Sequence, residues 1–172
     1  MLRNGRNKAM EQSAGILAYK FVERKLKVLL AHPGGPFWSK KDNAAWSIPK
    51  GLVEEGENIV IAAKREFSEE TGTTVSGELS ELGSVKSGSK QITVFACEME
   101  VDINLFSSNT FEMEWPPKSG QMQLFPENDK IEWFDIEKAK EKIFKGQIAF
   151  LDRLTEKLGY IEEKQPEQIS MF

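Results

Sequence analysis

The sequence predicts an α/β protein in which a mixed β-sheet is covered by helices on both sides. Three observations support this prediction: two pairs of strand-like segments joined by short turns, an amphipathic helix between those pairs, and further helical segments after a last strand. With 172 residues, of which 40% are apolar, the chain is long enough to bury one core. We expect one domain over residues 12–160, with an N-terminal extension (1–11) and a C-terminal tail (161–172).

The N-terminal part of the domain is predicted to form a β-hairpin. Residues 13–21 and 26–32 are apolar runs typical of strands, and the charged residues 22–25 between them favour a turn. Residues 32–41 contain two glycines and two prolines. They are therefore expected to form an ordered loop rather than a strand, with Trp38 as an exposed aromatic residue.

Residues 59–71 are predicted to form a helix. Asn58 before them is a favourable N-cap, and Gly72 stands where a left-handed cap would end the helix. At about 100° per residue, three carboxylates lie along one edge of the face expected to be buried: Glu66, Glu69 and Glu70. Such like charges repel one another, and more strongly when they are partly buried, so the cluster calls for a cation.

The chemistry of this cluster favours a hard metal ion. Carboxylate oxygens with no histidine or cysteine nearby suit Mg²⁺, with Mn²⁺ as a possible substitute, rather than zinc. Mg²⁺ keeps several coordination positions for water or substrate phosphates. The cluster therefore predicts a reaction at a phosphoanhydride bond.

The C-terminal half is predicted to complete the sheet. Residues 79–86 and 91–101 flank the turn 87–90, which is a second hairpin pattern, and residues 131–135 favour another strand. Helices are expected over 136–145 and 147–158. Residues 109–126 combine aromatic residues with a proline pair and are expected to form a long ordered loop, which either has a function or packs as a crossover over the sheet edge.

The segment from Gly51 to Thr73 resembles a known family signature. Its sequence, GLVEEGENIVIAAKREFSEETGT, matches all seven fixed positions of the Nudix box, G-x5-E-x7-R-E-U-x-E-E-x-G-U, where U is apolar. Those positions are Gly51, Glu57, Arg65, Glu66, Glu69, Glu70 and Gly72. Thr73 departs from the closing apolar position, which serves packing rather than chemistry. The resemblance implies the α/β/α sandwich of the Nudix fold and Nudix hydrolase activity of the MutT-like or diadenosine polyphosphate hydrolase-like kind.

The resemblance also implies roles for the box residues. Glu66, Glu69 and Glu70 would be metal ligands, the carbonyl oxygen of Gly51 would be a further ligand, and Arg65 would hold a box carboxylate, with Glu57 as the expected partner. Glu127, which precedes the strand carrying Glu132 and Trp133, occupies the place of an additional acid that many family members use as a catalytic group or metal ligand. Glu112 and Glu114 compete for that role. Either Glu66 or Glu127 would accept the proton from the attacking water.

Four residues outside the box are candidate substrate contacts. Lys50 directly precedes the box in a W-x-x-P-K-G run and is a candidate phosphate contact, with an ordinary exposed lysine as the alternative. Trp38, Trp115 and Lys118 are candidates for base stacking or phosphate binding. His32 at the end of a strand is expected to be structural rather than catalytic.

Substrate choice stays open at this stage. The subfamily patterns of ADP-ribose, dinucleoside polyphosphate and coenzyme A hydrolases are all missing, since residues 74–115 contain neither proline nor tyrosine and the upstream coenzyme A pattern is absent. By its overall pattern, a compact domain with W-x-x-P-K-G leading into the box, the chain still looks most like hydrolases of diadenosine tetraphosphate. Pyrophosphohydrolysis of nucleoside triphosphates to monophosphate and pyrophosphate is the alternative. A third possibility, from another class, is a catalytically silent regulator that binds nucleotide, although such domains usually lack a box carboxylate.

Composition excludes some partners. A net charge of −4 and a pI near 5.3 disfavour binding to duplex nucleic acid or to an anionic membrane. No apolar run reaches the roughly 20 residues of a membrane span. The single Cys97 lies in an apolar run and is expected to be a buried strand residue, which fits a reducing, cytoplasmic location. The sequence does not distinguish a monomer from a homodimer.

Overall fold

The computed structural model describes residues 10–162, and the predicted extension and tail lie mostly outside this range. The strands are β1 (Glu11–Val22), β2 (Lys25–Pro33), β3 (Lys50–Leu52), β4 (Leu79–Ser87), β5 (Lys90–Glu98), β6 (Thr110–Glu114), β7 (Met122–Pro126) and β8 (Asn128–Asp135). The helices are α1 (Ile59–Thr71), α2 (Ile136–Lys142) and α3 (Ile148–Leu158). Short 3₁₀ turns occupy Ile103–Leu105 and Lys145–Gln147.

The main sheet is mixed and has a helical layer on each face. Its strand order is β4-β5-β1-β2-β8, with β3 paired to β1; β1 runs parallel to β5, and the other pairs are antiparallel. Because side chains alternate along a strand, Ile16 packs in the core beneath α1, whereas its neighbour Leu17 packs in the core beneath α2 and α3. The predicted α/β/α sandwich is therefore confirmed.

The strands β1 and β2 separate beyond their hairpin turn, and the segment that leads into β3 lies in the gap between them. They pair only near their hairpin turn, from Tyr19 opposite Val28 to Val22 opposite Lys25. In the gap, Ser47 pairs with Ala31 of β2, and β3 pairs with the start of β1. The segment that leads into β3 is therefore held by backbone hydrogen bonds from both sides.

Both predicted hairpins of the main sheet are present. The first turns at Glu23 and Arg24, whose φ angles of 50° and 69° are those of a two-residue turn suited to the twist of paired strands. Cys97 is buried in β5, as predicted. Within residues 10–162, no helix is long and apolar enough to cross a membrane.

Three sequence predictions about the elements need correction. Residues 109–126 form the hairpin β6–β7, a separate two-stranded sheet, rather than a long loop. The strand expected over 91–101 ends at Glu98. The helix expected over 136–145 ends at Lys142, because the chain there turns to pair with Trp46, whose N–H donates to the Lys142 carbonyl and whose carbonyl accepts from Phe144 N–H.

Candidate active site

The helix α1 has the predicted boundaries and presents the carboxylates. The side chain of Asn58 accepts hydrogen bonds from the N–H groups of Val60 and Ile61, and Gly72 caps the other end in the left-handed conformation (φ 79°). Buried residues of α1, including Ala63 and Phe67, anchor the helix on the sheet. The carboxylates along the adjacent edge are thereby held at a fixed distance from β3.

Gly51 in β3 allows the backbone to approach Glu66 closely. A Cβ atom at this position would overlap the carboxyl group of Glu66. The neighbouring Lys50 N–H donates a hydrogen bond of 3.1 Å to Oε2 of Glu70. Two of the box carboxylates therefore lie directly against the backbone of β3, an approach that only glycine permits at position 51.

Arg65 connects most of the acidic side chains. Its Nε and Nη2 atoms each donate to Glu57 at 2.9 Å, which makes a bidentate ion pair. Its Nη1 donates to Glu66 at 2.8 Å and to Glu69 at 3.1 Å. The hydrogen bonds from Arg65 hold the pKa of Glu57 down at about 2, and those carboxylates in turn raise the pKa of the guanidinium.

Burial raises the pKa values of two other carboxyl groups. The side chain of Glu66 is only 13% exposed, and desolvation raises its pKa despite the adjacent Arg65. For Glu70, desolvation raises the pKa to about 7, opposed by the neighbouring Asn128 side chain and by the hydrogen bond from Lys50 N–H. Among residues 10–162, no lysine or arginine forms an ion pair with Glu70. The site thus contains desolvated acids that an incoming cation would stabilise.

These carboxylates open onto a cavity of about 270 Å³. The lining residues are Lys50, Gly51, Leu52, Glu66, Glu69, Glu70, Asn109 and Glu127. The structure therefore brings Glu127 and Lys50, both outside α1, to the same cavity as the three carboxylates of that helix. Glu57 and Arg65 do not line it and instead support Glu66 and Glu69 from behind.

The aromatic candidates lie elsewhere. Trp38 is half-buried, with its ring edge-on to Phe144 at 5.4 Å, so the expectation of an exposed Trp38 was wrong; the exposed aromatic of this loop is Phe37 (56% exposed). Trp115 packs edge-on against Phe37 at 5.4 Å. Neither indole lines the cavity, and their role in substrate binding stays a prediction.

The remaining sequence candidates lie on the β6–β7 hairpin. Lys118 is at its exposed tip, and Glu112 and Glu114 are exposed on β6. None of the three lines the cavity, whereas Glu127 does. This placement favours Glu127 over both competitors as the additional acid.

Sequence reasoning missed two asparagines at the site. Asn109 lines the cavity; its N–H donates to the Glu69 carbonyl, and its carbonyl accepts from Glu127 N–H at 2.7 Å. Asn128 is buried, and its Nδ2 donates to the carbonyl oxygen of Glu70 at 3.4 Å. The run Glu127-Asn128-Asp129, at the entry to β8, was the available signal, because consecutive polar residues there are unusual for a buried strand.

In this arrangement Arg65 supplies positive charge to Glu66 and Glu69 from outside the cavity. Among residues 10–162, no three histidine, cysteine or acidic side chains are placed to hold a metal ion together. The reason is visible in the hydrogen bonds, since Nη1 of Arg65 already contacts Glu66 and Glu69. A metal ion at this site would have to replace that contact.

Comparison with known proteins now identifies the family. The model of the NUDIX domain matches residues 12–154. The chain belongs to the Nudix family. An oxidized purine nucleoside triphosphate hydrolase from Danio rerio is 33% identical over 144 residues, which cover 78% of this chain and 83% of that protein. An RNA pyrophosphohydrolase from Caulobacter vibrioides is 44% identical over 52 residues, so the chain spans only 30% of that relative.

Solved Nudix structures share the fold. The Ap4A hydrolase of C. elegans in a binary complex superposes with a TM-score of 0.58 at 21% identity, covering 87% of this chain and 98% of that one. The NUDIX domain of Shewanella oneidensis NrtR, complexed with ADP ribose, gives 0.60 at 15% identity over 88% and 90% of the two chains. The family model and the Danio rerio relative therefore establish family membership, and the solved structures establish the shared fold.

Proposed function

We propose that this Nudix hydrolase is a Mg²⁺-dependent pyrophosphohydrolase of nucleoside triphosphates. The observation that carries the proposal is the pair of desolvated carboxylates, Glu66 and Glu70, held against a backbone that only Gly51 allows to come so close. Burying an acid such as Glu70, which has no ion-pair partner among residues 10–162, is unfavourable unless a ligand supplies the charge. The ligand that suits these oxygen donors is a divalent metal ion with its bound phosphates.

The residues present fit Mg²⁺ or Mn²⁺. All available donors are oxygen atoms: the carbonyl of Gly51 and the carboxylates of Glu66, Glu69, Glu70 and Glu127. When bound, the ion would polarise the phosphoryl oxygens and neutralise the leaving phosphate. Glu66 and Glu69 would exchange their hydrogen bonds with Arg65 for the ion, while the bidentate bond between Arg65 and Glu57 keeps the guanidinium in place.

The side chains around the cavity divide the remaining work. Lys50 at the rim would bind a phosphate of the substrate. Glu66, whose pKa is raised by burial, or Glu127 would accept the proton of the attacking water, since both line the cavity. A comparison of the pH dependence of kcat for Glu66→Gln and Glu127→Gln would assign the base. Removing the residue that acts as the base abolishes the acidic limb of that profile.

The choice of nucleoside triphosphates follows sequence similarity rather than the fold. The Danio rerio relative, named for oxidized purine nucleoside triphosphates, aligns over most of both chains at 33% identity. The likeness to the C. elegans Ap4A hydrolase, at 21% identity, supports the fold alone. Dinucleoside polyphosphates such as diadenosine tetraphosphate, the first expectation from the sequence pattern, are the second candidate, since the short W-x-x-P-K-G run enters the site through Lys50.

Product analysis separates the candidates. We would incubate the enzyme and Mg²⁺ with 8-oxo-dGTP, dGTP, ATP, diadenosine tetraphosphate and a 5′-triphosphorylated RNA oligonucleotide, then resolve the products by chromatography. The proposal predicts that a purine triphosphate yields monophosphate plus pyrophosphate at the highest kcat/KM. Preferential formation of ATP and AMP from diadenosine tetraphosphate would replace it with the second candidate.

A nucleotide-binding regulator is distinguished by the same assay. Such a protein would bind these nucleotides without Mg²⁺-dependent turnover, and Glu69→Gln would not change its behaviour. The four box carboxylates and the intact network around Arg65 support the enzyme instead. Absence of turnover with every substrate, together with tight nucleotide binding, would favour the regulator.

A further inference from the structure

His32 is the only histidine of the chain, and none of the roles proposed above involves it. It lies near the end of β2 with a side chain that is only 3% exposed. Its Nδ1 is 2.8 Å from Oδ1 of Asp129, and its Nε2 is 2.6 Å from the carbonyl oxygen of Lys41. Both neighbours present oxygen atoms to the ring, so the buried imidazole is held between the Asp129 carboxylate and the Lys41 carbonyl.

The partners of His32 belong to two segments beside the cavity. Three consecutive residues have three different contacts: Glu127 lines the cavity, Asn128 bonds to the end of α1, and Asp129 bonds to His32. Lys41 ends the loop that follows β2. At the start of that loop, Gly34 N–H donates to the Glu127 carbonyl at 2.9 Å. The loop is thus tied to the segment 127–129 at one end and to His32 at the other.

We infer that His32 is a positioning residue, which fixes segment 127–129 through Asp129 and so holds the Glu127 carboxylate at the cavity. The inference rests on the proposed role of Glu127. Glu127 is exposed, and its place depends on backbone contacts to Asn109 and Gly34 and on its two neighbours in sequence. A shift of about 1 Å in a reacting group can cost about 100-fold in rate. Buried hydrogen bonds behind a functional group therefore affect turnover.

The variants are chosen so that folding is preserved. Asp129 is partly exposed, so Asp129→Ala removes the bond to His32 without opening the core, and Asp129→Asn keeps an acceptor oxygen for Nδ1–H. The matched control is Asp42→Ala, which removes another carboxylate that accepts from a buried ring N–H, the Nε1 of Trp46. It also removes an ion pair with Lys142, but Asp42 has no bond to segment 127–129. We expect kcat to fall about 10-fold in Asp129→Ala with KM within twofold, and to stay within twofold of wild type in Asp129→Asn and Asp42→Ala.

A double-mutant cycle separates positioning from general destabilisation. If His32 acts through Glu127, then Asp129→Ala added to Glu127→Gln lowers kcat less than twofold further, and His32→Gln behaves likewise. Hydrogen exchange gives a readout that needs no turnover: the Glu127 amide should exchange at least about fivefold faster in Asp129→Ala and at the wild-type rate in Asp42→Ala.

Each outcome decides a different statement. Three results would overturn the inference, even if loss of turnover in Glu70→Gln upholds the proposed function. They are equal kcat in wild type and Asp129→Ala, additive losses of kcat when Asp129→Ala is combined with Glu127→Gln, and an unchanged kcat in Glu127→Gln. Absence of turnover in the wild type would overturn the proposed function. In that case the exchange rate of the Glu127 amide still decides whether His32 and Asp129 hold the segment, because an unchanged rate in Asp129→Ala refutes it.

Discussion

The burial of Glu70 predicts that this carboxylate destabilises the protein when no metal is bound. Desolvation raises its pKa from 4.5 to about 7. A carboxyl group whose pKa is higher in the folded state binds protons more tightly there, so the free energy of unfolding falls as the pH rises from about 4.5 through 7. With the pKa raised from 4.5 to about 7, and about 1.4 kcal/mol for each tenfold change in proton affinity, the cost above pH 7 is about 3 kcal/mol.

The substitution Glu70→Gln removes this cost. Glutamine stays neutral at every pH and keeps an oxygen to accept from Lys50 N–H. In urea denaturation with EDTA, we expect the variant to match wild type near pH 4.5 and to be more stable by about 3 kcal/mol at pH 8. With Mg²⁺ the wild type gains stability through binding and the variant gains less, so the difference shrinks or reverses.

The control and the refuting result follow from the same geometry. The control is Glu69→Gln, which changes a neighbouring carboxylate that is 38% exposed and paired with Arg65, so its removal should not stabilise the protein. If the difference between Glu70→Gln and wild type is the same at pH 4.5 and pH 8, or if the variant is less stable at pH 8, burial is not what governs this carboxyl group.

Three further predictions concern the support of the site. Gly51→Ala should fold but lose about 100-fold in kcat, because its Cβ displaces the Glu66 carboxylate. Circular dichroism checks the fold and steady-state kinetics checks kcat; a fully active variant would contradict the close approach of Glu66 to the β3 backbone. Glu57→Gln should be less stable than wild type at pH 7, with a difference that disappears as the pH falls from about 4.5 towards 2, since a lowered pKa stabilises only above that window; urea titrations across this range test it, and a constant difference speaks against the bond to Arg65. Asn58→Ala should cost about 1 kcal/mol, lowering Tm by about 2–4 °C at unchanged kcat, and an unchanged Tm would show that the cap does not contribute.

Local patterns predicted the elements whose ends are set by local chemistry. The boundaries of α1 follow from the cap at Asn58 and the left-handed Gly72, both of which form bonds within a few residues. The first hairpin likewise follows from a two-residue turn. By contrast, α2 ends where it does because its last residues pair with Trp46, about a hundred positions away in sequence. No local pattern carries that information.

The candidate site was predictable to a similar extent. The spacing of the box indicated which carboxylates share an edge of α1, and the structure places them at one cavity with Lys50 and Glu127. The sequence did not reveal that Arg65 also contacts Glu66 and Glu69, because that depends on side-chain packing. The hairpin β6–β7 was missed because the proline pair at its tip hides two five-residue strands that pack on a neighbouring loop rather than on the sheet.

Metal binding tests the central claim most directly, namely that desolvated carboxylates beside Gly51 form a divalent cation site on which turnover depends. We would titrate Mn²⁺ into the metal-free wild type and the metal-free Glu70→Gln variant at pH 8 and follow binding by water proton relaxation. The same protein samples would then be assayed for Mg²⁺-dependent pyrophosphate release from purine triphosphates. The account predicts that wild type binds Mn²⁺ and releases pyrophosphate, whereas the variant binds at least about 10-fold more weakly and is inactive. Equal Mn²⁺ affinity in the two proteins, or full activity in the variant, would contradict it.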